Sequence, residues 1–245
     1  MTITNATPQR LYLLQLSTST ILGAGRTLAM VSGCYLVQTS DGKNILIDSG
    51  LPTDYTPPPG TPKAENAKNV LEHLADLGLR PDEINILVCT HFDVDHVGYH
   101  DAFHKAELIV QRTHYELARS GHPRYAAARA HWDHPALRYR LIDGDTELMP
   151  GLSLIETSGH APGHQSVLLR LPQTGKVLLA IDAVVLQRLF TPDRRAWPTD
   201  DNEEQLHAST RRLLDLVERE HVALVIFGHD GEQWQTLKKA PAYYE

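Results

Sequence analysis

Four potential metal ligands, His91, Asp93, Asp95 and His96, fall within six residues, directly after the apolar run Ile84–Asn85–Ile86–Leu87–Val88–Cys89. The run reads as a buried strand. Core packing does not explain a strand that ends in two imidazoles and two carboxylates. Each buried group would need its own partner, whereas divalent ions satisfy several together. Alternation along extended chain puts His91, Asp93 and Asp95 on one side, and His96 swings in as the chain turns. Solvated loop histidines are the alternative, but so dense a polar cluster at the end of an apolar strand points to a metal site.

Three further segments place a polar ligand just past an apolar strand. His160 lies in Thr157–Ser158–Gly159–His160–Ala161–Pro162–Gly163–His164, after Leu152–Ile155. Its glycines let backbone approach an ion closely. Asp182 abruptly ends the run Val177–Ile181, and His229 follows Leu224–Phe227. Singly these read as a turn histidine, a helix N-cap and a strand end. Beside the first motif they read as one ligand set.

The 245 residues can bury a sizeable core and suit one domain over 1–245. Strands are expected at residues 10–16, 34–38, 44–48, 84–89, 107–111, 152–156, 166–171, 177–181 and 222–227. Ser40–Asp41–Gly42 is a hairpin turn signal. Helices are expected over residues 64–77, stopping at Gly78, over a short stretch to His104, and over 202–219. Residues 50–62, with five prolines, must be loop. Residues 112–140 give no distinct pattern and are open to helix. Two strand-rich halves with helices suggest two sheets packed face to face with helices outside.

A net charge of −7 leaves no basic surplus for phosphates, which excludes general nucleic-acid binding. Cys34 and Cys89 sit in apolar runs and read as buried free thiols, not a disulfide framework. Residues 1–7 show no basic region followed by an apolar stretch, and no apolar run nears the ~20 residues of a membrane span. A cytoplasmic enzyme acting on a small molecule, with no membrane or nucleic-acid partner, is the default expectation; monomer and homodimer stay open.

With these motifs in view, the chain resembles the metallo-β-lactamase superfamily, and within it the N-acyl-homoserine lactonases. The matching stretches are Ile45–Leu46–Ile47–Asp48–Ser49–Gly50, Thr90 through Gly98, Gly159 through Ser166, Ile181–Asp182–Ala183 and Phe227–Gly228–His229–Asp230. The resemblance implies an α/β fold, a four-layer αββα sandwich with a dinuclear site between the sheets. It implies that His91, Asp93 and His160 hold one ion, that Asp95, His96 and His229 hold the other, and that Asp182 bridges them with a hydroxide. Asp48 would orient a ligand histidine, and His164 would be a structural histidine.

Two positions depart from the family. Its pattern is His-x-His-x-Asp-His, and Asp93 stands where the second histidine would be. Two M²⁺ ions, a bridging hydroxide and two carboxylates sum to +1; a third carboxylate brings the cluster to zero and weakens it as a Lewis acid. Zinc is the expected ion, and Asp93 opens the site to iron or manganese. Val185 stands where these lactonases commonly carry a tyrosine that touches the substrate carbonyl. Tyr125 and His134 are candidate replacement donors.

The resemblance implies a metal-dependent hydrolase that opens a lactone ring, with the bridging hydroxide attacking the carbonyl and Asp95 carrying its proton to the leaving alkoxide. Residues 17–32 and 186–200 are candidate loops walling an acyl tail. A thioester or phosphodiester hydrolase is the alternative; Arg188, Arg194 and Arg195 would serve a phosphate. A di-iron oxidoreductase is suggested by Asp93 alone, and 245 residues leave no room for the flavodoxin domain it would need.

Overall fold

The protein is described by a computed structural model covering residues 5–23, 26–60, 64–65 and 67–245. Parts of four expectations lie outside these residues: the N-terminal reading over 1–4, loop residues 24–25 and 61–62, and Asn66 in the expected helix 64–77.

A six-stranded sheet runs β1 (Pro8–Gly23), β2 (Arg26–Thr39), β3 (Asn44–Ile47), β4 (Ile84–Val88), β5 (Glu107–Gln111) and β6 (Arg138–Ile142). A five-stranded sheet holds β7 (Thr146–Met149), β8 (Leu152–Glu156), β9 (Gln165–Leu171), β10 (Gly175–Ile181) and β11 (Leu224–Phe227), in spatial order 11-10-9-8-7. Strands β3 to β6 pair in parallel. The central members of such a set are covered on both faces, which is why β3 and β4 are mostly apolar, Ile45–Ile47 and Ile86–Val88 above all.

Alternation divides the side chains into layers. Ile45, Ile47 and Val88 point inward and meet Leu154, Val167 and Leu179 of the other sheet. Leu46, Leu87 and Leu108 point outward, against Val70 and Leu74 of helix α1 (Val70–Asp76) and Trp132, which lies beyond helix α2 (Arg112–Arg119) in helix α3 (Arg129–Trp132). On the far face Leu178 and Ala180 pack against Leu213 and Leu216 of α4 (Glu203–Arg219); a short α5 (Gly231–Thr236) follows β11. The order is helix, sheet, sheet, helix. Cys34 and Cys89 are buried free thiols. No helix among the described residues is long and apolar enough to cross a membrane.

Three expectations are corrected, and the open segment 112–140 is filled in. Residues 17–32 are mainly the far half of the β1–β2 hairpin, not a loop. Their run of Ser and Thr hides a strand that pairs with its hairpin partner, and at Thr18 with Glu65 as well. The helix expected over 64–77 starts only at Val70, because Asn69 caps it: its side chain accepts from the Glu72 amide while Glu72 accepts from the Asn69 amide. Residues 112–140 resolve into α2, a turn at Pro123–Tyr125, α3 and the start of β6. Strands β6 and β7 escaped notice because each is a sheet edge, half exposed and without an apolar run.

Candidate metal centre

Strands β8, β10 and β11 run in one direction, since each neighbour of β9 is antiparallel to it and β11 is parallel to β10. Their carboxyl ends deliver His160, Asp182 and His229 to a common edge, where the loop after β4 supplies His91, Asp93, Asp95 and His96. Two backbone distortions aim these side chains: Ile181 (φ 51°) and Asp48 (φ 59°) sit in left-handed conformations that L side chains avoid. The ladder also skips a residue between Leu179 and Ile181, which turns Asp182 inward. Gly228 is required beside it, because a Cβ there would lie 2.6 Å from the Ile181 carbonyl oxygen and 2.9 Å from Asp182 Oδ1.

The seven residues form two overlapping half-sites. His160 Nε2 and His91 Nε2 lie 3.1 and 3.4 Å from Asp93 Oδ2. His96 Nε2 and His229 Nε2 lie 3.7 and 3.8 Å from Asp95 Oδ2. Between them Asp182 Oδ2 lies 3.5 Å from His160 Nε2 and Oδ1 lies 3.6 Å from His96 Nε2, while His229 Nε2 is 3.1 Å from each oxygen and meets Oδ2 in a hydrogen bond. Tetrahedral coordination with bonds near ~2.05 Å has ligand–ligand edges of about 3.3 Å, so these separations suit ions between the groups. Among the described residues, the buried atoms His91 Nε2, His96 Nε2 and Asp182 Oδ1 have no hydrogen-bond partner. The donor set fits two divalent ions.

Each imidazole is held by its other nitrogen, which leaves Nε2 as the inward atom. His96 Nδ1 meets Asp48 Oδ2 (2.8 Å), His160 Nδ1 meets Asp200 Oδ1 (2.9 Å), His229 Nδ1 meets the Val31 carbonyl (2.8 Å), and His91 Nδ1 meets Thr90 Oγ1 (3.1 Å). Asp48 therefore occupies the orienting place expected of it. His164 is structural, as expected: it contacts Thr157 Oγ1 through Nδ1 (2.9 Å), and its Nε2 accepts from the Asp182 amide (3.3 Å).

Burial pulls His160 and His229 toward the neutral form, but Asp182 and its neighbouring carboxylates outweigh it and lift both to about 9. Burial likewise works against His96, and Asp95, Asp182 and Asp48 raise it well above the usual histidine value. His91, buried and beside His96, is pushed well below that value. Burial opposes the charge on Asp182, yet His229, His96 and His160 hold it well below the carboxylate range. The carboxylates demand positive charge at this spot, from protons or from ions.

Three supporting residues were missed. His114 on α2 accepts from the Phe92 amide at Nε2 (2.8 Å) and donates to the Pro162 carbonyl at Nδ1 (2.7 Å), tying two ligand loops together. Asp200 holds His160 and accepts from the Trp197 amide (2.5 Å). Arg124 grips Asp93. None carries a local sequence signal: each lies far along the chain from its ligand and outside any apolar period. Replacing Asp200→Asn should weaken metal binding by about 10–100-fold, measured by competition with a chromophoric chelator, because His160 loses its charged Nδ1 partner; unchanged affinity would exclude this role.

The sequence profile of the metallo-beta-lactamase superfamily matches residues 29–229. The chain belongs to this superfamily. It is also similar over nearly its whole length to N-acyl homoserine lactonase AiiA of Bacillus thuringiensis subsp. kurstaki, with 33% identity over 240 residues covering 93% of this chain and 92% of the relative. Among solved structures, an N-acyl homoserine lactone hydrolase with N-hexanoyl-L-homoserine at its catalytic metal centre superimposes with a TM-score of 0.84 at 30% identity, covering 97% of this chain and all of that one. A B. thuringiensis AiiA point mutant with N-decanoyl-L-homoserine bound gives the same score, identity and coverage. The four-layer sandwich is the superfamily fold.

Proposed function

We propose that this protein is a dinuclear metallohydrolase that opens a lactone ring, an N-acyl-homoserine lactone or a related cyclic ester, with His91, Asp93, His160, Asp95, His96, His229 and Asp182 holding two divalent ions, zinc expected. One observation carries this: Asp93, Asp95, His160, Asp182 and His229 of the convergent set line a cavity of about 400 Å³ in a chain similar to lactonases along nearly its full length. Ile21, Met30, Leu51, Val185 and Trp197 wall the cavity with apolar surface suited to an acyl chain. Ser17, Ser19, Ser32 and Thr199 add hydroxyls that can meet an amide.

Ions bound there would supply an acidified water and polarise the ester carbonyl. Asp95 lines the cavity and would take the attacking water's proton, then return it to the leaving alkoxide oxygen. Val185 lies in the wall and offers no donor. Tyr125 does not replace it, being buried beside His114 and His122; nor does His134, exposed before β6. Neither lines the cavity. Among the described residues no lysine or arginine lines it either. Arg194 is instead buried, donating to the Ala183 carbonyl and to Asp200, which disfavours the phosphodiester alternative.

A panel of acyl-homoserine lactones, other lactones and thioesters tests the proposal. Lactone opening should fall at least ~10²-fold on chelation and return with zinc. Fully metallated protein that opens no lactone would sink it.

A further inference from the structure

Asp93, the residue that departs from the superfamily pattern, does not stand alone. Arg124, in the turn Pro123–Tyr125, donates from Nε to Asp93 Oδ1 and from Nη2 to Asp93 Oδ2, both at 2.6 Å. Its Nη1 donates to the His160 carbonyl oxygen at 2.9 Å, and Nη2 lies 2.9 Å from His160 Nε2. Both side chains are about four-fifths buried, at 20% and 18% exposure. A two-pronged pair of this kind fixes the carboxylate plane as well as its charge. Asp93 Oδ2 is at once the atom Arg124 holds and the atom that faces His91 and His160.

We propose that Asp93 and Arg124 together replace one imidazole: Asp93 supplies the ligand oxygen, and Arg124 is a positioning residue that holds it and cancels its charge. This rests on the metal assignment above. A histidine ligand is neutral; so is an aspartate joined to a guanidinium. The zero cluster charge expected from three carboxylates is therefore corrected by a cation that sequence spacing does not place near them. The pair returns the sum to the +1 of the two-carboxylate site.

Such a unit makes the residues interdependent. Asp93→His alone restores the superfamily ligand set but strands the guanidinium beside two dications, with no anion of its own. Removing that charge should undo the damage.

The test is zinc uptake by the metal-free full chain, read as equivalents bound and as affinity against a chromophoric chelator, for wild type, Asp93→His, Arg124→Gln and the double variant. Asp93→His should bind its weaker zinc at least ~10-fold less tightly than wild type, the scale of a lost supporting contact. The double variant should recover to within about threefold of wild type. A merely structural Arg124 predicts the reverse, since removing its contacts would add to the damage. If Asp93→His does not fold but the double variant folds and takes up two zincs, the pairing stands. Asp93→His binding like wild type, or a double variant no tighter than Asp93→His, overturns it. Wild type that takes up no zinc would instead overturn the metal assignment itself.

Discussion

Alanine at position 182 should empty both half-sites at once, taking bound zinc from two equivalents to fewer than one and lactone opening down by at least ~10³-fold. Asp182 turns one oxygen to His160 and the other to His96, and His229 lies 3.1 Å from both. Among the described residues no other carboxylate faces both sides. Without it three imidazoles lose the anion that they share, and a dication placed among them loses a charged ligand. The loss of an electrostatic group fixed at the reacting centre is commonly worth ~10²–10³ in rate, and the loss of ions adds to that. Metal content by mass spectrometry and turnover with added zinc give the measurement. A variant that retains two ions and most of its activity would mean that Asp182 does not bridge.

Protein stripped of metal should become less stable as pH rises from about 7 to 10, while the metal-loaded form does not. His160 and His229 are lifted to about 9 against the pull of burial, chiefly by Asp182. In the unfolded chain both return to about 6.5. Between these values the folded state binds more protons, so this contribution is fully present below about 6.5 and is lost as pH passes through 9. A 2.5-unit difference sets a ceiling of roughly 3 kcal/mol for each histidine. Ions that displace those protons remove the dependence, and their binding releases protons, so affinity should rise with pH across the same window. Urea unfolding at pH 6.5, 8 and 9.5, with and without zinc, checks both halves. Apo stability that climbs across this window would contradict the charge demand at the site.

The parts of the molecule legible in the sequence share one physical property: they are local. A strand covered on both faces must be apolar at every position, so Ile45–Ile47, Val88 and Val177–Ile181 stood out without knowledge of their partners. A ligand placed just past such a run breaks its pattern, which is how His91, Asp93, Asp95, His96, His160, Asp182 and His229 could be named together. The half-exposed edges β6 and β7 and the polar far half of the β1–β2 hairpin were not legible, because their stability comes from hydrogen bonds to a neighbouring strand.

What the tertiary structure alone decided is the electrostatic character of the centre. From spacing, Asp93 is one more negative charge; Arg124 lies 31 positions further on, in a segment without a readable period. Asp200 is 40 positions from His160, and His114 is 22 from Phe92. Folding brings these groups within 3 Å of one another, where burial and the low local dielectric make each contact count. A sequence displays which atoms can bind an ion. Which charges surround that ion depends on chain segments that meet only in the folded molecule.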